Sequence, residues 1–135
     1  MEQNDLLERV NVFTDGLYQH PEDPFLLNNR GYVYLLMDSS DLALKDIDES
    51  ILMDPNTLWA YRNKGILAYK SKDYQKAERL FNRAMNKRIY VEDLYSYLGL
   101  TYLALENSDE ACKYFKLAVE KGEEKSTISQ QQYCQ

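Results

Sequence analysis

The chain has few of the residues from which metal sites, disulfide frameworks and phosphate loops are built. Its 135 residues include one histidine, two cysteines, three prolines and five glycines. The histidine, His20, stands beside Pro21 with no second histidine or cysteine near it, so no zinc site can be assembled. The cysteines, Cys112 and Cys134, have no metal-ligand spacing and read as free thiols. Free thiols indicate a reducing compartment, and the cytoplasm is the expected location. The glycines stand singly, so none forms a phosphate-cradling loop. The longest apolar run, Tyr32 to Met37, is far too short to span a bilayer. The acidic start, Met1 to Asp5, precedes no apolar stretch and does not read as a signal peptide. Carboxylate runs such as Asp46, Asp48 and Glu49 read as a solvated helix face. No catalytic constellation emerges; the chain is expected not to be an enzyme and to need no metal or cofactor.

Positive charge is also short. The net charge is −6 and the isoelectric point about 4.8. That excludes a nucleic-acid phosphate backbone or an anionic membrane as the expected partner. The deficit is banded: residues 1–55 carry −9, residues 56–91 carry +7 and residues 92–135 carry −4. Such bands either attract each other where helices stack or present a banded docking surface to a partner. Tyrosine, by contrast, is abundant, with twelve residues. Its apolar body and polar tip suit half-buried surfaces and interfaces.

A period of 34 residues organises the chain. It aligns Gly31 with Gly65 and Gly99, and Ala43 with Ala77 and Ala111. The same shift aligns Leu27, Tyr61 and Tyr95; Tyr34, Ala68 and Tyr102; Ile47, Phe81 and Phe115; and Ser50, Ala84 and Ala118. Apolar positions within each unit recur at helical spacing. The first helices are predicted at 24–37, 58–71 and 92–105, and the second at 40–53, 74–87 and 108–121. Asn107 and Glu110 can form a capping box, Pro24 suits a first helical position, and Asp54-Pro55-Asn56 ends a pair. A small residue at each of two columns lets two helix backbones approach, and the larger residue four positions after the alanine fills the space beside them. Residues 5–19 read as a lone second-type helix, with Phe13, Gly16 and Pro21 in the matching columns.

This order of small and aromatic columns, with its period, resembles the tetratricopeptide repeat family over residues 24–121. Arg30 and Lys64 depart from a column usually leucine, Ser50 from one usually alanine, and Ile89 from the closing proline. The resemblance implies an all-α, right-handed superhelix of about seven antiparallel helices. Residues 1–23 would form a capping helix and joint, followed by repeats at 24–57, 58–91 and 92–123. The polar segment 124–135 is expected to fray. The last helix would then expose parts of Tyr114, Leu117 and Cys112, as a tolerated solvent face or as a weak dimer contact in an otherwise monomeric protein.

In this family the first helices line a concave groove. Helical spacing places Phe25, Asn28, Asn29 and Tyr32 there from the first repeat, and Trp59, Arg62, Asn63, Ile66 and Tyr69 from the second. The third contributes Asp93, Ser96, Tyr97 and Leu100. Asn29 and Asn63 match a column that in the family often bonds a peptide backbone. Lysines and arginines that grip acidic chaperone tails are replaced at those columns by Asn28, Tyr32, Trp59, Asp93 and Tyr97, and Asp93 would repel a carboxylate. The expected function is a protein-binding scaffold or adaptor that takes a peptide or helix of its partner in this groove. The alternative is sequestration of one dedicated client, basic enough to meet the acidic bands. Proteins of that sort resemble secretion chaperones or immunity proteins that neutralise a toxin.

Overall fold

A computed structural model describes residues 2–134. Eight helices follow one another in antiparallel order: α1 (Gln3–Gln19), α2 (Pro24–Leu36), α3 (Ser40–Met53), α4 (Leu58–Lys70), α5 (Tyr74–Ala84), α6 (Leu94–Ala104), α7 (Ser108–Glu120) and α8 (Ser126–Tyr133). The architecture is the expected all-α right-handed solenoid, with one helix more than the sequence indicated. Each pair packs through its small columns. A Cβ added to Gly65 would lie 2.6 Å from the ring of Phe81, and Gly31 and Gly99 are closed off in the same way by Ile47 and Phe115. Ala43, Ala77 and Ala111 are fully buried beside them.

The joints repeat as well. Asp38, Lys72 and Glu106, spaced by the repeat period, all have positive φ, at 57°, 63° and 61°. At each, a backbone N–H reaches back to close the preceding helix: Ser39 to Tyr34, Asp73 to Ala68, and Asn107 to Tyr102. This is the Schellman closure, normally eased by glycine and made here by ordinary residues. Side-chain caps start the next helices, with Asp23 accepting from Phe25 and Leu26, Asp73 from Lys76, and Asn107 from Glu110. The capping box at Asn107 is half formed, because Glu110 turns to Lys113, 3.8 Å away, rather than back.

The family departures have local partners. Arg30 makes a two-pronged bond to Asp46, with Nε and Nη2 donating over 2.7 and 2.8 Å, and Asp46 is itself buried. Lys64 meets Asp48 at 2.8 Å. Ser50 donates to the Pro24 carbonyl over 2.7 Å. Part of the charge banding is thus internal attraction between neighbouring helices, as Lys64–Asp48 and Lys70–Asp38 show.

Three expectations need correction. Helix α5 stops at Ala84 rather than 87, since the Asn86 side chain accepts from the N–H groups of Arg88 and Ile89 and draws the backbone into a turn. Residues 126–133 are helical, not frayed. Glu123 anchors that segment: its carboxylate accepts from Ser96 N over 3.0 Å, from Ser96 Oγ over 2.6 Å and from the Tyr90 hydroxyl. Ser126 Oγ bonds Ser96 Oγ, and Tyr133 stacks on Phe115. Finally, the cysteines are not free: Cys112 on α7 is bonded to Cys134 at the end of α8. That bond removes the ground for reading a reducing compartment. The last helix accordingly does not expose Tyr114, which is buried and stacked between Tyr95 and Tyr102.

Two outcomes follow for stability. Gly65→Ala forces a methyl against the fully buried Phe81 ring and should cost about 1–3 kcal/mol in denaturant unfolding. Cys134→Ser removes a cross-link spanning 22 residues and should cost about 3 kcal/mol by loop entropy, with amide exchange in α8 rising first.

Candidate functional site

The first helices α2, α4 and α6 touch one another and form the inner face, while α3, α5 and α7 stand further apart on the outer one. On the inner face a cleft of about 290 Å³ opens between α2 and α4. Phe25, Asn28, Asn29, Tyr32, Trp59, Arg62 and Asn63 line it, together with Thr57. Seven of the residues expected in the groove are therefore gathered in one place.

A chain of polar contacts fixes its floor. Asn63 is fully buried; its Nδ2 donates to Asn28 Oδ1 over 2.9 Å, and its Oδ1 accepts from Arg62 Nε and Nη2. Arg62 Nη1 donates to the Glu92 carbonyl over 3.1 Å, and the guanidinium lies 5.3 Å from the Tyr32 ring centre. Trp59 Nε1 donates to Glu92 Oε2 over 2.8 Å. Of the two asparagines that match the family's peptide-gripping column, Asn63 is thus turned inward, as a buried amide must be when its neighbours can satisfy it. What remains at the surface is Phe25, 61% exposed, and the exposed Asn29.

The rest of the expected groove is not open in the same way. Ile66 belongs to the core, and Tyr69 packs edge-on to Tyr74 and Tyr97. Tyr97 stacks on Phe81 with centroids 5.6 Å apart, and the Lys125 ammonium lies 5.1 Å from its ring centre. Asp93 has φ 63° and pairs with Lys125 at 3.2 Å. Ser96 is held by Glu123 and Ser126, while Leu100 is half-buried. The C-terminal segment thus engages the third repeat's share of the face.

Two contributors escaped the sequence reading. Glu92 fastens both Trp59 and Arg62 from one repeat further along, taking the indole N–H on its carboxylate 33 residues on and the guanidinium on its backbone carbonyl 30 residues on. Its Trp59 bond holds its carboxyl below the usual glutamate range, helped by a backbone bond and the Arg62 charge. Thr57 is buried in the joint before α4, and its hydroxyl finds no protein partner. On the third repeat, burial pushes the Tyr97 hydroxyl up, with Tyr32 and Asp93 adding to it. Burial and the bond to Glu123 likewise push the Tyr90 hydroxyl well above its ordinary value. Among the described residues no cluster of three or more His, Cys, Asp or Glu could hold a metal ion, and no helix is long and apolar enough to cross a membrane.

A family model described as tetratricopeptide repeat matches residues 93–120. A solved structure described as YrrB, a tetratricopeptide protein with an unusual peptide-binding site, superposes with a TM-score of 0.73 at 25% identity, over 80% of this chain and 56% of that one. Residues 93–120 therefore match a tetratricopeptide repeat, and the fold of the chain is that of a tetratricopeptide solenoid. The structure of MamA shares the fold, with a TM-score of 0.69 at 21% identity, over 95% of this chain and 70% of that one. Among curated relatives, Hsp70-Hsp90 organizing protein 2 of Arabidopsis thaliana is 27% identical over 78 residues, 58% of this chain and 14% of its own length. Protein SGT1 homolog of Homo sapiens is 28% identical over 101 residues, 75% of this chain and 27% of its own length. The chain therefore spans about a quarter or less of these curated relatives.

Trp59 is the single tryptophan, so its emission reports the cleft. Because the Glu92 carboxyl is depressed, its bond to the indole persists through the ordinary glutamate range and is lost only as pH falls through the depressed value. A fluorescence titration should show one acid transition below that ordinary range, and Glu92→Gln should abolish it.

Proposed function

We propose that the chain is a protein-interaction adaptor and that its α2–α4 cleft takes a side chain of a partner's extended peptide or helix. The exposed Phe25 at the rim of an aromatic-walled cleft carries this reading. A phenylalanine left in water beside Tyr32 and Trp59 gains most when an apolar group covers all three. Arg62 and the Asn28–Asn63 pair hold the floor rigid, so little ordering remains to oppose binding. The exposed amide of Asn29 is free to meet a peptide backbone group at the rim. The curated relatives, among them an Hsp70-Hsp90 organizing protein, agree with an adaptor role at this coarser level.

The chaperone-tail reading finds no support in the cleft. No lysine lines it, and its one cation, Arg62, is already shared between Asn63 and the Glu92 carbonyl.

The test uses two exposed positions, so that folding is not disturbed. The tagged protein is recovered from its native cells, and its bound proteins are identified by mass spectrometry beside a Phe25→Ala, Asn29→Ala variant of equal helicity. A dominant partner should be retained by the parent chain and weakened by about 2 kcal/mol or more in the variant. Undiminished retention would remove the cleft from the interaction.

A further inference from the structure

The positive band of the chain has a definite spatial form. On α5, Lys76, Arg79 and Arg83 are spaced by three and four residues and so share one helix face. That face is opposite Ala77, Phe81 and Ala84, which are buried, and all three cations are exposed. The repeat period extends the pattern to neighbouring helices. Lys45 on α3 and Lys113 on α7 lie 34 residues either side of Arg79. Each stands two positions after a buried alanine, Ala43, Ala77 or Ala111. One register on three successive outer helices makes a row of cations across the convex face, widened at its centre by Lys76 and Arg83.

The chain does little to neutralise this row. Lys113 meets Glu110 at 3.8 Å, and the Arg83 guanidinium lies 5.1 Å from the Tyr61 ring centre. Among the described residues, the side chains of Lys45, Lys76 and Arg79 have no partner. An ordinary solvated helix face mixes both signs, as α3 and α7 do with Glu49 and Glu120. The outer face of α5 holds no acid, and Glu78, the acid of that helix, points to the Tyr102 hydroxyl. A chain with a net charge of −6 thus concentrates unpaired positive charge in one place.

We propose that this row docks an extended acidic segment of a partner protein, laid across α3, α5 and α7. Charge complementarity selects the occupant. A continuous polyphosphate fits poorly, because Glu49 and Glu110 interrupt the surface in the same columns as Arg83 and Lys76. Separate carboxylates can avoid those two. The outer helices stand at least a helix diameter, ~10 Å, apart. An extended chain advances about 3.3 Å per residue. Acidic residues at every third position therefore match the row. The surface lies opposite the α2–α4 cleft, so occupying it leaves the cleft open.

The probe is a fluorescein-labelled peptide with glutamate at every third position and glycine or serine between. Fluorescence anisotropy follows its titration with the full chain at low salt. Arg79→Glu with Arg83→Glu should weaken binding by roughly tenfold or more, and added salt should weaken the parent complex. The milder Lys76→Gln with Arg79→Gln should fall between. Phe25→Ala with Asn29→Ala should bind the probe like the parent, which separates this surface from the cleft. Equal binding by the charge-reversed chain, or none by the parent, would overturn the proposal. So would tighter binding of a single-stranded oligonucleotide of equal charge. Salt-sensitive self-association that the charge reversal abolishes, seen in sedimentation of the protein alone, would also overturn it by assigning the surface to a second copy.

Discussion

Each helix pair closes on a glycine of its first helix, set against a large side chain of its second. At Gly65 there is no room for a methyl group beside Phe81, and Gly31 and Gly99 are closed off likewise. With the glycine face flat, the second helix lies down on the first until the buried alanine touches it, and the ring fills what remains. Every later feature inherits this spacing. It fixes the turn at each joint tightly enough that Asp38, Lys72 and Glu106 accept left-handed backbone conformations, at a cost that glycine would have avoided. It also brings the first helices together on one side and spreads the second helices on the other, which gives the solenoid a cleft and an outer face.

A strict period repeats whatever it is given. Apolar columns repeated three times build the core, and the same register repeated on the outer face aligns Lys45, Arg79 and Lys113. Where a column breaks the family pattern, a neighbouring helix supplies the compensation. Arg30, in a column usually leucine, is half-buried and would be costly alone; the two-pronged bond to Asp46 raises its pKa and leaves neither charge uncompensated. Lys64, in the same column one repeat on, reaches Asp48 instead. Both substitutions tie a first helix to α3, so the acidic character of α3 is partly structural. Among the described residues, Lys76, Arg79 and Arg83 of α5 make no ion pair.

The fold was legible because its signal is periodic: Gly31, Gly65 and Gly99 with Ala43, Ala77 and Ala111 are enough to pair the helices. The non-periodic end was not. The segment from Glu123 onward looks polar and weakly patterned, yet one buried carboxylate with three donors, one disulfide and one ring stack hold it in place. None of these contacts leaves a spacing to read, since each depends on which side chains the solenoid brings together across 18 to 33 residues. The candidate cleft was legible by the same logic and limited in the same way. Helical spacing gathered Phe25, Asn28, Asn29, Tyr32, Trp59, Arg62 and Asn63 around one cleft. It could not show that Asn63 turns inward, because that follows from Asn28 and Arg62 competing successfully for its amide. Nor could it place Ile66 in the core rather than the groove.

The C-terminal segment also determines which part of the inner face is open. Lys125 pairs with Asp93 and sits over Tyr97, while Glu123 and Ser126 hold Ser96. These residues occupy the third repeat's contribution to the groove, so a peptide crossing the whole inner face would have to displace them. Displacement would uncover a buried carboxylate and break its bonds to Tyr90 and Ser96, which is expensive for contacts made in a low-dielectric setting. The α2–α4 cleft needs no such rearrangement. Its floor is already bonded, its rim residues Phe25 and Asn29 are already in solvent, and Glu92 reaches it from the next repeat without closing it. A short contact centred on the first two repeats is therefore favoured over an array-long groove. A partner that needs more surface than this cleft provides must find it elsewhere on the solenoid.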